Sequence, residues 1–165
     1  MTCVRAHPTF RHLRLVLVLA LALPAGAAEK ERMPRFVSLR SDEVNLRTGP
    51  GERYPIDWVL VKKGLPVELI DEYDVWRRVR DWQGSEGWVH QRMVAGVRTV
   101  IVTGKIRTLH ADAADDSTVV ARVEPGVIAR LLECRNAWCR VEAESMRGWL
   151  RRSEVWGVYP DETLP

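Results

Sequence analysis

Setting aside the first 28 residues, the side chains that could do chemistry are two cysteines, two histidines and a scatter of aromatics. Cys134 and Cys139 bracket Arg135-Asn136-Ala137-Trp138, a short turn between two strand-like runs. Cross-strand neighbours in a hairpin stand at about the Cα separation that a disulfide accepts. The spacing therefore predicts a Cys134–Cys139 bridge pinning that hairpin. A metal pair or a catalytic dithiol fits less well, because four residues intervene rather than two and no further Cys remains to complete a soft-metal site. His90 and His110 fall at non-equivalent places. His110 with Asp112, Asp115 and Asp116 lacks the central Gly and closing Glu of a calcium loop, so it reads as a polar surface loop. Gly84-Ser85-Glu86-Gly87 is one residue short of a nucleophile elbow and reads as a hairpin turn. No phosphate-binding or dinucleotide glycine pattern is present. The expectation is a protein without catalysis, metal or cofactor. Binding has better candidates in Tyr54, Trp58, Tyr73 and Trp82. Aromatics set among mixed charges suit peptide or sugar faces. Trp58 and Trp82 could equally pack between domains or cover a core.

The elements that must position these residues come as one module written twice. Gly64, Trp76 and Val79 recur 62 positions later as Gly126, Trp138 and Val141. Gly87-Trp88-Val89 recurs 61 positions later as Gly148-Trp149-Leu150, so repeat two lacks one residue in the hairpin between. A fixed period with a small deletion at a turn marks a duplicated domain. Repeated positions are mostly framework. Tyr54, Trp58 and Trp82 have no aromatic equivalent in repeat two, which is why they stand out. Trp82 sits near a hairpin tip, and Tyr73 lies at a turn beside Asp74.

Each repeat reads as all-β. Short runs rich in strand formers alternate with turns such as Gly49-Pro50-Gly51, Lys63-Gly64 and Pro125-Gly126. No window holds a convincing amphipathic helix. Close, regular strands without helices predict two small barrels. Trp88 and Trp149 are the expected core plugs, with Trp76 and Trp138 as their neighbours. The three-residue spacing of Trp76/Val79 and Trp138/Val141 breaks strict alternation and predicts a bulge or sharp twist there. The domains are placed at 36–96 and 98–158, after a leader over 29–35 and before a loose or lightly packed tail over 159–165. Trp156 is expected to pack onto the second barrel. The run from Val94 to Val102 contains no flexible linker, which predicts a fixed or semi-fixed relation between barrels.

The N-terminus reads as a signal peptide over 1–28. Arg5, Arg11 and Arg14 precede the nine-residue apolar run Leu15 to Leu23, which is too short to span a membrane, and Ala25-Gly26-Ala27 offers a cleavage site. An uncleaved anchor is the rival reading. Removing those three arginines from the chain's 25 basic residues leaves 22, equal to its 22 acidic residues. A net charge of zero argues against nucleic acid or an anionic membrane as partner. Arg77-Arg78 and Arg151-Arg152 read as solvated faces. Export to an oxidising compartment agrees with the cysteine pair.

The stretch Val44-Asn45-Leu46-Arg47-Thr48-Gly49-Pro50-Gly51, followed by Gly64, Trp76-Arg77-Arg78-Val79 and Gly87-Trp88-Val89, resembles the bacterial SH3-like (Src-homology-3-type) domain. Repeat two departs from it at its opening, where Thr108-Leu109-His110-Ala111-Asp112-Ala113-Ala114 retains only Leu109. The resemblance implies two five-stranded β-barrels in tandem, in a periplasmic or secreted protein with no catalysis of its own. It also implies a targeting or binding module for cell-wall peptidoglycan or its peptides, or for an envelope protein. Sequence alone leaves open the ligand, the barrel that binds it and the oligomeric state.

Overall fold

The computed structural model describes residues 33–164, so the expected signal peptide and most of the leader lie outside the described residues. Repeat one forms β1 (Arg35–Leu39), β2 (Glu43–Arg47), β3 (Ile56–Val61), β4 (Pro66–Tyr73), β5 (Trp76–Arg80) and β6 (Glu86–His90). A 3-10 turn at Gln91–Met93 then leads into β7 (Val94–Ala95). Repeat two forms β8 (Thr99–Val102), β9 (Arg107–His110), β10 (Val119–Val123), β11 (Ile128–Arg135), β12 (Trp138–Ala143) and β13 (Met146–Arg151). A second 3-10 turn at Arg152–Glu154 precedes β14 (Val155–Trp156). The sheet orders are β3-β2-β6-β5-β4-β1-β7 and β10-β9-β13-β12-β11-β8-β14, the same topology position for position. Seven short strands replace the five that the resemblance implies, because the excursion between β1 and β4 forms a hairpin of its own, as does that between β8 and β11.

Both cores are aliphatic. The first gathers Val37, Leu39, Val44, Leu46, Val67, Leu69, Val79 and Val89. The second gathers Val100, Val102, Leu109, Leu131, Val141 and Leu150 around the two cysteines. The tryptophans do not plug these cores. On β6, Gly87 and Val89 are buried whereas Trp88 is only half-buried, as strand alternation requires of its outer face. Trp76 is likewise half-buried, while Trp138 and Trp149 are buried on the outer layer of the second barrel, at 9% and 4% exposure. Arg135 and Arg151 cover them, 4.5 and 4.8 Å from the ring centroids of Trp149 and Trp138.

The glycine of the repeated motif serves a strand crossing. A Cβ on Gly87 would lie 2.5 Å from Leu46 Cγ and 2.8 Å from the Arg47 carbonyl oxygen. On Gly148 it would lie 2.6 Å from both Leu109 Cγ and the His110 carbonyl oxygen. A bulge does sit beside the Trp/Val pair, but on the partner strand. Asp71 faces Arg78 and Leu69 faces Val79, leaving Ile70 over; Leu132 is left over in the same way. Trp76 and Val79 therefore point to opposite faces and need no break in alternation.

Cys134 and Cys139 stand directly opposite on β11 and β12 and are bridged, with Cα atoms 4.1 Å apart. The same cross-strand pair in repeat one is Glu72 and Arg77, an ion pair at 3.2 Å. Arg77 also donates to the Asp74 carbonyl and to Gln91 Oε1, and Arg152 donates to the carbonyls of Asn136 and Tyr159. Within the basic clusters Arg77 and Arg152 are therefore braces, whereas Arg78 is exposed as expected.

The two barrels share material. Ile101 joins the first core, with Ile128 and Trp156 packed against it. Phe36 meets Trp156 edge-on at 4.9 Å and Tyr159 at 4.7 Å. Trp156 therefore bridges to the first barrel instead of lying on the second alone. Thr99 Oγ1 donates to the Gly64 carbonyl at 2.7 Å, and Tyr159 Oη donates to Glu68 Oε1 at 2.9 Å. Burial and the Glu68 carboxylate push the Tyr159 phenol well above its ordinary range.

The tail is held, not loose. Glu162 takes Arg98 in two contacts, 2.5 and 3.0 Å, and Leu164 pairs with the Cys134 backbone in both directions. Burial alone would raise the Glu162 carboxyl. Hydrogen bonds from Arg98 and from the Tyr159 backbone, with the charges of Arg98 and Arg152, outweigh it and hold the group below its ordinary range.

Replacing Cys134 and Cys139 by serine should lower stability by about 2 kcal/mol, since the closed loop is short; urea midpoints with and without reductant measure it. A depressed carboxylate contributes stability that is present above its unfolded pKa and lost as pH falls through the folded value. The Glu162 contribution should therefore fade as pH drops below the ordinary glutamate range. Glu162→Gln should remove that acid-sensitive component from the pH dependence of the urea midpoint.

Candidate binding groove

On repeat one, the crossing of β6 over β2 brings the ends of several elements together. Glu43, Asn45 and Arg47 come from β2, and Glu52 from the loop after it. Trp76 opens β5, His90 closes β6, and Met93 stands on the 3-10 turn. They line a cavity of about 200 Å³. Asn45 and Arg47 alternate with the buried Val44 and Leu46, so the period of two that builds the core also displays the polar residues.

Arg47 braces the loop, its Nη1 donating to the carbonyls of Glu52 at 3.1 Å and Tyr54 at 2.8 Å. His90 packs edge-on against Trp76, ring centroids 5.6 Å apart. Its Nδ1 accepts the backbone N–H of Arg92 at 3.1 Å, so in the neutral ring the proton sits on Nε2. The groove thus offers two carboxylates, an amide, an imidazole donor and an indole. Glu43 and Glu52 suit an ammonium group, Asn45 and His90 suit amides or a carboxylate, and Trp76 suits a small apolar group. The residues lining it include no Ser, Thr or Cys.

Repeat two builds the same frame and fills it. Leu46 pairs with Trp58 and Arg47 with Ile56; Leu109 pairs with Ala121 and His110 with Val119, all 63 positions later. The loop turns match as well. Gly51 N–H to Gly49 O and Tyr54 N–H to Gly51 O become Ala114 N–H to Asp112 O and Ser117 N–H to Ala114 O. Glu52 therefore corresponds to Asp115, and His90, which faces Trp76, corresponds to Arg151, which faces Trp138. Arg151 lies over the Trp138 ring and is ion-paired to Asp115, its Nε donating to Oδ1 at 2.9 Å. His110 closes in from the side, 5.5 Å from Trp138. A cation and its carboxylate thus occupy, in barrel two, the position that is a cavity in barrel one.

The four aromatic candidates do not converge. Tyr54 adjoins the groove, its ring packed on the loop glycines, where a Cβ on Gly49 would lie 2.4 Å away. Trp58 is 58% exposed on the edge strand β3. Trp82 is 41% exposed at the Asp81–Ser85 turn, which the buried Asp81 holds by accepting the Gln83 and Ser85 N–H groups. Tyr73 is 63% exposed at the β4–β5 turn, the other end of β5 from Trp82. Glu43, Asn45, Glu52 and His90 were not legible as a site, because they are scattered along 48 positions of ordinary polar residues. Comparing unequal residues across the repeats, His90 with Arg151 and Arg47 with His110, was the available signal.

A family model for the bacterial SH3 domain matches residues 40–96 and again 104–157. A candidate N-acetylmuramoyl-L-alanine amidase of Bacillus subtilis, YrvJ, is 24% identical over 128 residues. That match takes in 71% of this chain and 24% of the amidase, so this chain spans about a quarter of that relative's length. Two solved structures from Trichomonas vaginalis, NlpC2 and NlpC1, align with TM-scores of 0.35 and 0.36 at 10% identity. They cover 77% and 78% of this chain and 49% and 48% of theirs. With two family matches falling on two barrels of one topology, the chain belongs to the bacterial SH3 domain family and carries the domain twice in tandem.

Proposed function

We propose that this protein is a non-catalytic, extracytoplasmic module that binds cell-wall peptidoglycan through its peptides, and that the groove on the first barrel is the binding site. The observation that carries this reading is the contrast between repeats: one groove is open over Trp76 and His90, while its counterpart is filled by Arg151 and Asp115. A residue pair that plugs one copy marks the other as the place where a ligand fits. Carboxylates, an amide, an imidazole donor and an indole suit a short peptide bearing amine, amide and carboxylate groups. Kinship with a chain named as an N-acetylmuramoyl-L-alanine amidase supports the wall as the target. The disulfide and the signal-like N-terminus support export. Non-catalysis is supported by the lining of the groove and by the commitment of both thiols to the bridge.

A second reading, an adaptor or partner of an envelope enzyme, is favoured by β3. Ile56, Trp58, Val59 and Val61 are all exposed on this edge strand, and an open edge can pair with another chain.

Co-sedimentation with purified sacculi tests the first reading. The chain from Glu29 onward should pellet. His90→Arg, which transplants the plug of barrel two opposite Glu52, should fold normally and bind at least tenfold more weakly, about 1.4 kcal/mol. Trp82→Ala should pellet like the parent. Absence of pelleting, or full pelleting by the His90→Arg variant, would overturn the proposal.

A further inference from the structure

The second barrel carries its own example of what this groove can hold. The Arg151 guanidinium lies over the Trp138 ring, 4.8 Å from its centroid. Its Nε donates to Asp115 Oδ1 at 2.9 Å, and Nη2 meets Oδ2. The face of an aromatic ring is its negative pole, and the carboxylate supplies a full charge beside it. The frame thus seats a cation between an indole and a carboxylate.

The first barrel keeps the seat and lacks the occupant. Trp76 stands for Trp138 and Glu52 for Asp115, whereas His90 stands for Arg151. His90 is shorter than arginine, and its Nδ1 is held by the Arg92 N–H. Among the described residues no arginine or lysine lies over the Trp76 ring. Nor does Glu43 or Glu52 make an ion pair among them. Arg47 also lines the cavity, but its Nη1 is engaged by the carbonyls of Glu52 and Tyr54. Glu43 is particular to this barrel, since the residue 63 positions on is Ile106. Two exposed carboxylates therefore share a cavity with an indole, and the cation that completes this set in barrel two is missing.

We infer that the group this groove reads is a primary ammonium on the bound peptide, seated over Trp76 beside Glu52 as Arg151 is seated over Trp138 beside Asp115. An ammonium has three N–H donors and no acceptor. The groove answers with three acceptor groups, the carboxylates of Glu43 and Glu52 and the amide oxygen of Asn45. The α-amine at the start of a peptide and the side-chain amine of a diamino acid share this chemistry. The inference rests on the groove being the binding site, and goes further by naming the one group without which a peptide is not held there.

The test is an NMR titration of the isotopically labelled chain from Glu29 onward with a tripeptide of alanine, glutamate and lysine, which carries one amine of each kind. Saturable shifts that include the Trp76 indole N–H are expected, with binding that weakens in added salt. Acetylating both amines should weaken binding at least tenfold, and the two singly acetylated peptides tell the α-amine from the side-chain amine. Glu52→Gln should weaken binding of the free peptide at least tenfold. The Glu52 side chain is exposed and only its backbone carbonyl braces the loop, so the variant should keep its circular dichroism. Equal binding of the doubly acetylated peptide, undiminished binding by Glu52→Gln, or no binding of any of the four peptides would overturn the inference. Pelleting with sacculi is read in parallel. Pelleting of the parent but not of His90→Arg, together with any of those three results, would leave the groove as the wall site and remove only the ammonium. Amine-dependent peptide binding without pelleting would do the reverse, keeping the ammonium site and removing the wall as its target.

Discussion

The contact of Gly87 with the Leu46 side chain and the Arg47 carbonyl is the constraint on which the rest of the first barrel depends. Only a residue without Cβ lets β6 cross β2 that closely. Once the crossing is made, Val89 must face Leu46 in the core and Trp88 must face out. The same crossing carries His90 and, through β5, Trp76 to the side of β2 where Asn45 and Arg47 stand. The groove is thus a by-product of closing the barrel. Gly148 makes the equivalent crossing in the second copy and brings Trp138 and Arg151 to the same relation.

Duplication explains why two copies of one frame can be put to different uses. At four paired places the two repeats differ in what holds the surface. A disulfide stands for the Glu72–Arg77 ion pair, Arg151 for His90, Asp115 for Glu52, and a tail covers the face that in the first barrel carries four arginines. The Glu72–Arg77 ion pair is partly buried, and such a pair holds a hairpin less firmly than a covalent bridge. Repeat two is accordingly the more constrained partner, and it braces the first.

That bracing is physical. A unit of this size buries only about 60% of its unfolded surface and is marginal alone. Ile101, Ile128 and Trp156 extend the first core with side chains from the second barrel, and Thr99 and Tyr159 tie the seam with hydrogen bonds to Gly64 and Glu68. The three residues between β7 and β8 leave little freedom for one barrel to turn against the other. Grooves on the first barrel are therefore presented on a platform twice its own size.

By itself the sequence determined the all-β class, the duplication, the Cys134–Cys139 hairpin and the turn glycines. Each of these is a local matter of spacing, and period-two alternation and turn chemistry act over a few residues. The tertiary structure decided the rest. Tryptophan looked like core because it is large and apolar, yet the face a strand residue takes depends on register, and Ile70 and Leu132 shift it from the opposite strand. The tail looked loose because nothing local holds it; its partners, Arg98 and Cys134, lie 64 and 30 positions back. The candidate site was hidden for the same reason. Glu43, Glu52, Trp76 and His90 become neighbours only when β6 crosses β2, and no residue announces in advance which distant side chains a strand crossing will bring together.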